Sequence, residues 1–130
     1  MTLFYRFANA SLTRRVLCYL RNNLQAHIDH VTVIFLNDFW VIQLKLKPSI
    51  NAHFAKNCQA FLSENGFPYQ GESKILLQTL EKLASGCDPT AVMKHHRIAI
   101  ISHGAPMVEE VEHFRERFVS GLGYCPPSLI

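Results

Sequence analysis

The sequence has no long hydrophobic run. Its most apolar stretches, VTVIFL and IAII, fall far short of the roughly 20 residues that a membrane-crossing helix needs. No membrane partner is therefore expected. Cysteines are few and dispersed, at positions 18, 58, 87 and 125, and no two form the closely spaced pair that opens a structural zinc site. Cys18 and Cys58 fall on apolar helix faces and read as small core residues. Neither GxGxxG nor GxxxxGK[ST] occurs, so no nucleotide-binding loop is indicated. There is no internal repeat and no low-complexity segment. The opening residues, MTLFYRFANASLTRR, lack a basic segment followed by an apolar run and a small-residue cleavage site, so a cytoplasmic location is the default expectation. No cofactor and no metal are expected.

What is present is an ordinary globular composition: 130 residues, 48% hydrophobic and 18% charged. This suits one domain over residues 1–130, with residues 122–130 as a flexible or docked tail. The net charge of +3 is unevenly spread. Residues 1–60 hold seven Lys and Arg against two Asp, and residues 61–130 hold six against eight Asp and Glu.

Periodicity divides the chain. ASLTRRVLCYLRNNLQAHI reads as a helix capped by Ser11, with Leu12, Val16, Leu20 and Leu24 on one face. HVTVIFLNDFWVIQLKLK reads as a hairpin over residues 30–47, turning at Asn37-Asp38. A two-residue turn pairs Leu36 with Phe39, Phe35 with Trp40, Val33 with Ile42 and Val31 with Leu44. That register puts Val31, Val33, Phe35, Trp40, Ile42 and Leu44 on one face. The other carries Thr32 opposite Gln43 and His30 opposite Lys45. A second helix follows Ser49 or Asn51 and stops at Gly66, read as a left-handed cap. A third covers about 72–85, and Asp88-Pro89 restarts a short fourth. RIAIIS is a third strand, and a last helix runs from about Pro106 to Ser120. The resulting order, α-β-β-α-α-(α)-β-α, describes an α+β two-layer domain with about three strands against four to five helices. This order overlaps with that of the bacterial-type KH domain, an RNA binder. The GxxG clamp of that domain is missing, because the connection between the central helices reads NGFPYQGES.

Three features bear on function. The first is the strand-to-helix corner Ser102-His103-Gly104. A helix start attracts anions, and His103 titrates near neutral pH, so His103 and Gly104 are the candidate ligand contacts. His103 and Ser102 are the candidate catalytic groups of an alternative reading as a small enzyme or ligand-binding protein. Neighbours on a strand point to opposite faces, which argues against a ready Ser-His pair. The second feature is apolar: Ile34, Leu36, Phe39 and Val41 share the outer hairpin face, and would form an interaction surface if no helix covered them. The third is basic: Arg14, Arg15, Arg21, Lys45 and Lys47 would serve nucleic acid if they lined one groove. Other histidines offer less. His27 and His30 straddle a helix end, His95 and His96 diverge, and Glu110 with His113 matches only half of a di-iron motif, so a solvated, salt-bridged helix face accounts for them. The leading expectation is a non-enzymatic binding or regulatory module acting through protein contacts, with a protein partner or a second copy as homodimer. Nucleic-acid binding ranks lower.

Overall fold

The hairpin lies at the centre of the molecule, and every pair expected of it is present. Leu36 faces Phe39, Phe35 faces Trp40, Val33 faces Ile42, Thr32 faces Gln43, Val31 faces Leu44 and His30 faces Lys45. The structure, a computed structural model, describes residues 1–36, 38–71, 73–96 and 98–130, with the side chains at 95 and 96 also outside the description. Asn37 of the turn, the side chains of the His95-His96 pair and the first residue of RIAIIS therefore lie outside the description. Asp38 takes a positive φ of 64°, as a tight turn asks.

The elements are β1 (Thr2–Phe7), α1 (Ala10–Asn23), β2 (Ile28–Leu36), β3 (Phe39–Leu46), α2 (Ala52–Asn65), β4 (Phe67–Pro68), α3 (Lys74–Ala84), α4 (Pro89–His96), β5 (Ala99–Gly104) and α5 (Val108–Leu122). The fold is mixed α+β, with five strands rather than three. They form one antiparallel sheet in the order β4-β1-β3-β2-β5. The first six of these elements follow the β-α-β-β-α-β order of ferredoxin-like domains. The added strands are β1, whose Leu3, Tyr5 and Phe7 alternate inward, and the two-residue β4.

The two-layer expectation gives way to three layers. On the inner face, Val31, Val33, Trp40, Ile42 and Leu44 are buried with Val16, Leu17 and Leu20 of α1, Cys58 and Leu62 of α2, and Val111 of α5. On the outer face, Ile34 and Val41 are buried under Leu76, Leu80 and Leu83 of α3 and Val92 of α4. The candidate interaction surface of Ile34, Leu36, Phe39 and Val41, which required that no helix cover it, is thus covered. Ile34 and Val41 are each 1% exposed, and Leu36 and Phe39 pack half-buried beside them. The physical reason is the stripe on α3, which needs an apolar partner and finds it there.

Two helix ends differ from expectation. Asn9, not Ser11, caps α1, accepting from the Leu12 amide at 2.9 Å. Gly66 is extended, with φ −158°, rather than left-handed. Its glycine is required by proximity: a Cβ there would strike the Arg6 carbonyl and come within 2.6 Å of the Phe7 ring. The last helix also starts later than Pro106, at Val108.

Trp40 is fully buried in β3, against Phe35 and Phe114. A buried indole N–H needs an acceptor, and the carbonyl of Ser128 provides one at 2.8 Å. The segment after α5 is thereby docked. Its short turn Pro127–Leu129 buries Leu129 in the inner core, and Arg115 Nε donates to the Leu129 carbonyl at 2.6 Å. Trp40→Ala is expected to cost roughly 3–5 kcal/mol in urea unfolding, and to free the amides of Leu129 and Ile130, now bonded to the Pro126 and Pro127 carbonyls, to hydrogen exchange. A loss below about 1 kcal/mol would contradict the central place given to this side chain.

Candidate ligand cleft on the outer sheet face

The outer face of the sheet is covered over only part of its length. Near the hairpin turn its side chains are apolar and lie under α3 and α4. Toward the other end they become Thr32, Gln43, His30 and Lys45, joined by Thr2 of β1. Here α3 leaves a cleft of about 350 Å³, lined by Thr2, His30, Gln43 and Lys45 from the sheet and by Leu77, Leu80, Glu81 and Ala84 from α3.

Two irregularities in the ladder build this region. The register of β2 on β3 shifts between Ile28 and His30. The bulge leaves Asp29 unpaired and re-aims it, so that its carboxylate lies 3.7 Å from Lys45 Nζ and 3.8 Å from His30 Nδ1. The second shift separates Val33↔Ser102 from Ile34↔Ile100, making Ile101 the extra residue of β5. Ile100 belongs to the outer core and Ile101 packs on the inner one. Strict alternation from Ile100 would send residue 103 to the inner face. The bulge returns it to the outer face, opposite Thr32.

His103 accordingly shares a hydrogen bond of 2.6 Å between its Nδ1 and the Oγ1 of the buried Thr32. Its ring centre is 5.3 Å from that of His30. Burial, and after it the neighbouring His30, lower the pKa of His103 below the ordinary 6.5. Ser102 points the other way. Its position opposite Val33 is on the inner face, and its hydroxyl is buried without a hydrogen-bond partner among the described residues. Ser102 and His103 therefore do not form a nucleophile and base pair. Gly104 takes φ +134°, which side-chain-bearing residues avoid, and so serves the backbone of the corner. The structure thus brings together His103, Thr32 and His30, of which residue type alone pointed only to His103.

The basic residues do not share one groove. Arg14 pairs with Glu112, and Arg21 with Glu109 at 2.8 Å, both tying α1 to α5 on the inner side of the sheet. Arg15 reaches Asn65 of α2, whereas Lys45 stands on the outer face, at the cleft. Among the described residues no group of three His, Cys, Asp or Glu is placed to hold a metal ion, and no helix is long and apolar enough to cross a membrane. Comparison with family models, curated proteins and solved structures yields no match to this chain.

A lowered histidine pKa means that the unfolded chain binds the proton more readily. The contribution of His103 is then complete above pH 6.5 and is lost as pH falls from there toward the lower folded midpoint. NMR titration is expected to place the His103 midpoint below 6.5. His30→Gln should raise it only part of the way, since burial is the larger cause. A midpoint at or above the ordinary value would refute this geometry. At the corner, Gly104→Val is expected to destabilise by about 1–3 kcal/mol through backbone strain. The strain is conformational at the level of the backbone, because a Cβ at 104 itself meets no atom within 4 Å.

Proposed function

We propose that the chain is a non-enzymatic binding module that takes a small amphipathic zwitterion in the cleft beside His30. The observation that carries this reading is the composition of the cleft walls. Lys45 and His30 on the sheet side offer charge and donors to an anionic group, Glu81 on α3 offers a carboxylate to a cationic one, and Leu77, Leu80 and Ala84 supply an apolar wall. A volume of about 350 Å³ lies at the small end of ligand sites. The Lys45–Asp29 pair does not oppose binding. Both side chains are about half exposed, and such pairs are worth little in water.

Binding rather than turnover is favoured by what surrounds His103. Its Nδ1 is already engaged by Thr32, and its neighbour Ser102 faces the opposite side of the sheet. The four free thiols, Cys18, Cys58, Cys87 and Cys125, suit the reducing cytoplasm. Burial pushes the Cys58 thiol up to about 11, which keeps it protonated and inert.

The test is a matched series followed by NMR: leucine and phenylalanine, the corresponding amines without the carboxylate, and the corresponding acids without the ammonium. The zwitterions are expected to shift the amides of residues 30, 43, 45, 80 and 81, and the singly charged members to bind at least about tenfold more weakly. Ala84→Trp, which fills the cleft from an exposed position, should abolish the shifts at unchanged melting temperature. If no member of the series perturbs these amides, or if Ala84→Trp leaves binding intact, the reading fails.

A further inference from the structure

The two edges of the sheet are unequal. At one end β4 is two residues long and contains Pro68, features that block the addition of another strand. At the other end β5, among the described residues, pairs only with β2, along six residues, AIISHG, without proline, lysine or any carboxylate. The bulge at Ile101 is its one protective feature. Such an edge is a template for pairing.

The free edge lies in a groove of about 300 Å³ between α4 and α5. Met93, Ile100, Ile101 and Phe114 make it apolar, and Glu110 and Arg117 bring opposite charges from α5. These two charges stand on the α5 face turned away from α1, since Glu109 and Glu112 already bind Arg21 and Arg14 there. Seven residues apart, they sit about 10 Å from each other along the helix, too far for a close ion pair within one copy. Arg117 instead donates to the His113 carbonyl at 3.3 Å, and Glu110 lies 3.8 Å from His113 Nδ1.

We propose that β5 pairs with β5 of a second copy, antiparallel about a two-fold axis, to give a continuous ten-stranded sheet. A two-fold interface must be self-complementary: what one copy offers at one end, the other must match at the opposite end. This edge meets that condition. Ile100 to His103 of the strand and Glu110, Phe114 and Arg117 of α5 line the same groove, and the proposed axis passes the middle of both stretches. Phe114 falls near the axis, where the two copies bury each other's ring. Glu110 of each copy then faces Arg117 of the other, on both sides. A second copy therefore fits the charge pattern better than an unrelated extended peptide, which would have to carry its own matching charges.

The experiment is sedimentation velocity over a concentration series, with hydrogen exchange on the same samples. The wild-type chain is expected to dimerise, with β5 amides gaining protection as concentration rises and the Phe67 amide of β4 unchanged. Glu110→Arg and Arg117→Glu, each placing like charges across the axis, should weaken the dimer about tenfold or more. The double exchange Glu110→Arg with Arg117→Glu should restore it. Circular dichroism and melting of the monomers confirm that the variants fold. A chain that stays monomeric at all concentrations overturns the proposal. So does a dimer indifferent to both single reversals, or one in which the double exchange gives no rescue.

Discussion

Strands in the middle of this sheet are apolar on both sides, and a sheet of that kind must be covered on both sides. On β3, Trp40, Ile42 and Leu44 face one layer, while Phe39 and Val41 face the other. The inner layer of α1, α2 and α5 satisfies the first set. It leaves Ile34 and Val41 of the hairpin exposed to water, a loss of roughly 1.5–3 kcal/mol for each large side chain. The stripe of α3 has the same problem from the opposite direction. Packing α3 and α4 on the outer face resolves both, and the position of the remaining elements follows. The indole N–H of Trp40 adds a polar constraint within the inner layer. It is buried too deeply for water, so the segment after α5 must bring a carbonyl to it.

Covering stops where the apolar residues stop. Thr32, Gln43, His30 and Lys45 mark that boundary on β2 and β3. No helix gains by lying on them, since each hydrogen-bonding group it covered would need a new partner. The cleft is thus the place where the outer layer ends. Thr32 shows the rule at its limit. It is buried at the margin of the cover, and its hydroxyl is matched by the His103 ring.

Much of this arrangement is legible in the sequence where two local signals agree. The hairpin register follows from period-two alternation together with an Asn-Asp turn, and each of its pairs is found. The strand at Thr2–Phe7 carries the same alternation, Leu3, Tyr5 and Phe7, but no turn signal ties it to a partner, and its pairing with β3 spans some forty residues. β4 is too short, and too burdened by Pro68, to read as a strand at all. The outer hairpin face is legible only in its parts. Ile34, Leu36, Phe39 and Val41 stand out as one apolar set, and Leu76, Leu80 and Leu83 as another. Nothing local says that the two meet, and a two-layer arrangement leaves the first set uncovered. At the site, residue type singled out His103. Its partners depend on the bulge at Ile101, which no pattern of apolar residues announces.

The elements after β4 alter the meaning of the preceding β-α-β-β-α-β unit. By itself, that unit would leave one sheet face bare and β2 as a free edge. Adding α3 and α4 closes half of the bare face and forms the wall of the cleft. Adding β5 shifts the edge outward by one strand and brings His103 to Thr32. Adding α5 fills the inner layer beside that new edge and sets Glu110 and Arg117 along it. The cleft and the edge groove are therefore products of the same addition, and they share one element. His103 lines the edge groove and stands next to His30, which lines the cleft. A change in the β5 backbone at the edge would move this imidazole relative to Thr32 and His30, so the strand that offers the edge also positions one flank of the ligand site.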